Sequence, residues 1–140
     1  MSEFKYGLLC EQAIINRVTG QLSIINVVDG IGVPAVPVVV NTLFLVMSWQ
    51  REMLGELDEE KFEIRLHVEP RDSKAEQPVN GKFEVTFSKD NFVANAVTRL
   101  EIQFIKAGEN RIIIERKYGE DWKIEGVVPV KIVPGVISKQ

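Results

Sequence analysis

One cysteine, Cys10, and one histidine, His67, are all that 140 residues contain of either type. A lone thiol forms no internal disulfide, so the sequence carries no mark of an oxidising compartment. One sulfur and one imidazole cannot provide the three or four nitrogen and sulfur ligands of a zinc site within one chain. The same scarcity limits nucleophilic catalysis. A Ser-His-Asp triad would need His67, and no Gly-x-Ser-x-Gly elbow occurs. A Cys–His pair would need Cys10, in an apolar segment, to meet His67, which the alternation around it puts on a wet face. Cys10 reads instead as core packing.

Other absences extend the exclusions. There is no Gly-x-x-x-x-Gly-Lys and no Gly-x-Gly-x-x-Gly between a strand and a helix, so phosphate and dinucleotide cradles find no support. Gly30-Ile31-Gly32, beside Pro34, reads as a turn. No cofactor is expected. Positive charge is in deficit, with 17 basic against 20 acidic residues and a net charge of −3, which argues against a nucleic-acid partner. The densest basic spot, Arg116-Lys117-Tyr118 with Lys123, is diluted by Glu115, Glu120, Asp121 and Glu125 and reads as a solvated hairpin. Calcium wants several oxygens from one loop or from adjacent loops. The sequence has neither an Asp-x-Asp loop pair nor an EF-hand pattern, and Asp58-Glu59-Glu60 reads as a solvated acidic loop.

One stretch imitates a membrane span. From Gly30 to Gln50 run 21 residues without a formal charge, close to the ~20 that a helix needs to cross a bilayer. Pro34 and Pro37 oppose regular helix there, and Val38-Val39-Val40 is β-branched. Two buried strands around a Pro-rich turn account for the same composition, and no membrane partner is expected. The opening Met1-Ser2-Glu3-Phe4-Lys5 lacks the basic and apolar regions of a secretory signal, so the expected location is cytoplasmic.

What the sequence does have is period-two alternation, the pattern of strands with one buried face. Phe62, Ile64, Leu66 and Val68 alternate with Glu63, Arg65, His67 and Glu69. Phe83, Val85 and Phe87 stand against Lys82, Glu84 and Thr86. Leu100, Ile102 and Phe104 oppose Arg99, Glu101 and Gln103, and Trp122 and Ile124 oppose Lys123 and Glu125. Turn signals separate these runs: Val18-Thr19-Gly20-Gln21, Asn80-Gly81, Ala107-Gly108-Glu109-Asn110 and Tyr118-Gly119-Glu120-Asp121. Residues 51–61 have room for a short helical turn, 70–78 read as a mobile polar connection, and 91–98 suit a short helix as well as a strand. The expectation is an all-β, single-domain, two-layer antiparallel β-sandwich over residues 1–140, immunoglobulin-like or C2-like, with eight or nine strands.

Tyr6-Gly7-Leu8-Leu9-Cys10-Glu11, a hairpin through Gly20, Leu22-Ser23-Ile24-Ile25-Asn26-Val27-Val28-Asp29, Pro34 and Pro37, the strand Leu43–Val46, the Gly108 and Gly119 turns and Val128-Pro129-Val130 follow one another in this order. The succession resembles a family of small stand-alone bacterial proteins known only as a domain of unknown function. The resemblance covers nearly the whole chain. It implies a compact β-sandwich without an assigned activity, and no catalytic residues come with it.

With no complete catalytic set, the expected function is non-enzymatic: a protein-interaction or structural module with a protein partner or a second copy of itself. The residues singled out for such a surface are Val38 and Val40, on a strand that would need covering at a sheet edge, with Trp49, Met53 and Tyr118. A docking arm at Val136-Ile137 is a further candidate. The alternative is a small-ligand binder, of sugar or calcium, using loops at one end of the sandwich.

Overall fold

The computed structural model describes residues 2–16, 18–19, 21–52, 55–70 and 79–135, side chains at 79–81 excepted. The chain is all-β. Among the described residues there is no helix and there are eleven strands, against the eight or nine expected: β1 (Glu3–Ile15), β2 (Leu22–Val28), β3 (Gly30–Val33), β4 (Val38–Val40), β5 (Phe44–Gln50), β6 (Glu60–Glu69), β7 (Val79–Phe87), β8 (Val93–Arg99), β9 (Ile102–Phe104), β10 (Gly108–Tyr118) and β11 (Asp121–Pro134). They form a four-stranded sheet in the order β2-β1-β5-β8, a five-stranded sheet in the order β3-β11-β10-β6-β7, and a two-stranded ribbon of β4 and β9. The extra strands are the short ones, β3, β4 and β9. Of these, β3 reads as a turn in the sequence, whereas the alternation through β9 and the β-branched run of β4 are legible there.

The inner faces of the two larger sheets share one core. Leu9, Leu45, Met47, Trp49 and Ala94 come from the first sheet, and Phe62, Ile64, Leu66, Val85, Phe87, Ile112, Ile114, Val128, Val130 and Ile132 from the second. Each fully buried aliphatic side chain of this kind contributes about 1.5–3 kcal/mol by leaving water. The alternation expected for β6, β7 and residues 100–104 is present, with Phe62, Ile64, Leu66, Val68, Val85, Phe87, Leu100, Ile102 and Phe104 all buried.

Five expectations are corrected. The pairing is not wholly antiparallel, because β3 lies parallel to β11, Lys131 to Pro134 matching Gly30 to Val33. The chain leaves the first sheet at Asp29 and joins the second within one residue, so Gly30-Ile31-Gly32 is strand rather than turn. Asn80-Gly81 is not a turn either. The register jumps from Arg65 opposite Lys82 to Leu66 opposite Val79, so this dipeptide is the extra length of a bulge inside β7. Residues 93–99 are strand β8, and the described part of 51–59 holds no helical turn. Residues 71–78 of the expected mobile connection 70–78, Met53, and the arm at Val136-Ile137 lie outside the described residues.

The last correction concerns the faces of β11. Trp122 and Ile124 were expected inside, yet Ile124 is 63% exposed while Val128, Val130 and Ile132 are buried. The register passes from Ile114 opposite Gly126 to Glu115 opposite Ile124, so Glu125 is an inserted residue. One extra residue reverses every side chain beyond it.

Candidate functional site

The four-stranded sheet is uneven in length. β1 pairs with β5 only from Glu3 to Cys10, where Cys10 meets Phe44. Beyond that point residues 11–15 pair with β2 alone, Ile15 opposite Leu22 and Gln12 opposite Ile25. A two-stranded arm therefore projects past the body of the sheet. Its turn is closed locally: Asn16 Oδ1 accepts from the backbone N–H groups of Val18 (2.9 Å) and Thr19 (3.0 Å), and the N–H of Asn16 donates to the Gln21 carbonyl at 2.8 Å. An asparagine side chain bonding the backbone two residues on is a self-contained turn device.

This arm gathers exposed apolar side chains. Ile14, Ile15, Val18, Ile25 and Val27 are all exposed, Val18 at 94% and Val27 at 60%. Alternation places Ile14, Ile25 and Val27 on one face of the ribbon and Ile15, Leu22 and Ile24 on the other. No charged residue occurs from Leu22 to Val28. The one irregularity is Asn26, whose φ of 55° is left-handed and whose amide nitrogen donates to Glu11 Oε2 at 2.9 Å. Since β2 stands at the rim of its sheet, its outer row of backbone groups faces away from β1.

The residues singled out from the sequence do not come together. Val38 and Val40 lie in β4, half-buried against the core and paired with β9 at Phe104 and Ile102. Trp49 is wholly buried, in edge contact with Phe4 (5.4 Å) and Phe62 (5.3 Å), so it belongs to no surface. β5 is flanked by β1 and β8, and its inner face seats the indole. Met53 is outside the described residues. Tyr118 is half-buried, its hydroxyl donating to Glu125 Oε1 at 3.1 Å. The arm was missed, although it had a signal. Ile14-Ile15, Ile24-Ile25 and Val27-Val28 are apolar doublets, and a doublet in a strand puts apolar groups on both faces.

Tyr118 leads into an interior polar network. Arg116, expected on a solvated hairpin, is buried. It has the parity of Ile112 and Ile114 on β10, so its side chain enters the core side of the sheet. Its guanidinium lies over the rings of Phe62 (3.9 Å) and Tyr118 (4.9 Å), pairs with Glu60 (3.2 Å) and Glu125 (3.5 Å), and donates to Ser2 Oγ at 2.7 Å. Arg51 pairs with the other Glu60 oxygen at 3.6 Å. Burial pushes the Tyr118 hydroxyl above its ordinary pKa, with Arg116 opposing and Glu125 adding to the rise. Every charge in this network is answered by another, so it reads as a structural tie.

The outer face of the five-stranded sheet holds His67, which the alternation had placed in water. It is buried, with Nε2 at 3.0 Å from Glu115 Oε1, and Arg65 Nε sits 3.1 Å from the same oxygen. Arg65 also lies over the Trp122 ring at 4.3 Å. Large side chains spread over a central strand bury their neighbours even on a face that looks outward. Cys10 lies in the other sheet, fully buried, and burial raises its thiol pKa. An open groove of about 640 Å³ is lined by Glu69, Pro70, Lys106, Glu109 and Arg111. Among the described residues no three His, Cys, Asp or Glu side chains gather as a metal-holding group, and no helix is long and apolar enough to cross a membrane.

An all-β domain with a tied interior and an apolar projecting hairpin is the class of protein these observations define. The chain belongs to the family of unknown function DUF6941, which matches residues 5–121. No curated protein matches it.

Proposed function

We propose that this chain is a non-enzymatic protein-interaction module, cytoplasmic, that docks through the β1–β2 arm and the open edge of β2. The observation that carries the reading is the arm itself. Five exposed apolar side chains, Ile14, Ile15, Val18, Ile25 and Val27, gather on one projecting hairpin, and contiguous exposed apolar surface marks interaction sites more often than singly scattered residues do. β-Strand edges bind through main-chain hydrogen bonds, with alternate side chains selecting the partner.

Capture from native lysate tests this with the tagged full chain and with an Ile14→Lys, Val18→Lys variant of the arm. The expected result is a stoichiometric protein on the wild type, a second copy of the chain included, and its loss from the variant. A partner retained equally by both would move the docking surface elsewhere. If nothing is captured and the chain is a clean monomer, the module reading falls. The runner-up is a small-ligand binder using the groove between Glu69 and Arg111, read by thermal shift with calcium and sugars.

A further inference from the structure

We infer that the occupant of the β2 edge is a second copy of this chain, the two arms lying side by side about a two-fold axis so that the four-stranded sheets join into one. The inference rests on the interaction reading above and names its partner.

The backbone supports it first. Edge strands are commonly protected from pairing by lysine, proline or a bulge. Leu22–Val28 has no lysine, no proline and no charge of either sign. Its one irregularity, the left-handed Asn26, leaves Leu22–Ile25 extended. β2 is paired with β1 alone among the described residues, so its second row of donors and acceptors is available for a ladder.

Charge decides between a foreign partner and a second copy. The chain as a whole carries −3, which opposes the approach of two copies over most of its surface. The β2 edge is where that opposition is least. Its nearest acids, Asp29 and the Asn26-bonded Glu11, both lie at the Val28 end of the strand. In an antiparallel two-fold pair those ends point in opposite directions, so neither carboxylate meets its own copy. A neutral edge also offers nothing to select an acidic or a basic partner.

Geometry and area agree. A two-fold axis perpendicular to the sheet makes strands antiparallel and keeps each face to itself, so Leu22 and Ile24 of both copies share one side, and Ser23 and Ile25 the other. A stable interface takes about 800 Å² from each partner. Val18, Ile25 and Val27, at the tip of the arm and on the edge strand, provide roughly a third of that at their observed exposures, and the backbone edge of β2 and the turn add to it.

Sedimentation velocity of the purified full chain, from low to high micromolar concentration, tests the inference. The expected species has twice the 15.8 kDa chain mass. Ile25→Lys and, separately, Val27→Lys are expected to weaken it at least tenfold, each putting an ammonium into an otherwise apolar join. Val39→Lys, at an exposed position of β4, should leave it unchanged. Having two edge variants at exposed positions guards against one of them failing to fold, and a cooperative unfolding transition checks each. A wild type that stays monomeric throughout overturns the dimer, as does a dimer that both edge variants leave intact. Lysate capture separates the two readings: a foreign partner lost from the arm variant alongside a monomeric wild type would sink the dimer and leave the interaction module standing.

Discussion

Arg51 and Arg116 carry more of this protein's polar order than their neighbours. Arg51 donates to the carbonyls of Asn91 (2.7 Å), Asp58 (2.6 Å) and Ser88 (3.0 Å) while its guanidinium lies 4.8 Å from the centre of Phe87. It thereby ties the segment before β6 to the β7–β8 connection. Arg116 holds Ser2, Glu60 and Glu125 together inside the fold. Removing one partner of a buried charge network strands the others, so Arg116→Ala is expected to cost about 3 kcal/mol in urea unfolding. A loss under ~1 kcal/mol would mean that solvent already screens the network. Cys10 gives a second prediction at this scale. Its thiol pKa is raised by burial, so the folded state favours the protonated form. That contribution is intact below the unfolded thiol pKa of about 8.5 and is lost as pH climbs from there through the folded value. Cys10→Val should therefore flatten the alkaline fall in stability relative to wild type, read as urea midpoints at neutral pH and above pH 9. Identical slopes for the two proteins would show that the thiol stays protonated in neither or both states.

At the scale of the element, β11 shows how one inserted residue sets a whole face. The bulge at Glu125 turns Trp122 and Ile124 outward and brings Glu125 in to meet Arg116 and Tyr118. Gly126 follows it because the Phe4 ring lies where a Cβ would stand, the ring atoms overlapping that position. Gly126→Ala must displace the Phe4 ring from its place in the core, and we expect it to cost about 1–3 kcal/mol. Phe4→Leu should restore part of that loss by shortening the obstructing side chain, and a double variant no more stable than the single one would argue against this contact. The β1–β2 arm makes the complementary point. Its turn is held locally by Asn16, and the hairpin extends beyond β5 with apolar groups on both faces.

For the molecule as a whole, what could be read in the sequence follows from how many residues each feature spans. The all-β class and the buried faces of β6 and β7 were legible because Phe62 to Val68 and Phe83 to Phe87 repeat their pattern over several residues. The family was legible for the same reason, its succession of strands and turns running through residues 5–121. The burial of Arg116 was half legible, since its parity continues that of Ile112 and Ile114, but a charge at such a position reads as surface until its partners are known. Those partners, Ser2, Glu60 and Glu125, are 114, 56 and 9 residues away in the chain. The apolar doublets of β1 and β2 were visible, but nothing local says whether a doubly apolar hairpin is sandwiched or projects.

Composition and short-range pattern by themselves determined strand rather than helix, the core faces of the regular strands, and the shortage of thiol and imidazole. These properties are set by each residue and its neighbours two positions away. Tertiary structure alone decided the parallel placement of β3, the bulges at Asn80-Gly81 and Glu125, the burial of His67 and Trp49, and the exposure of the arm. Each of these depends on which strand lies alongside, and the pairing of distant strands is fixed by burial of the whole core at once rather than by any segment in isolation.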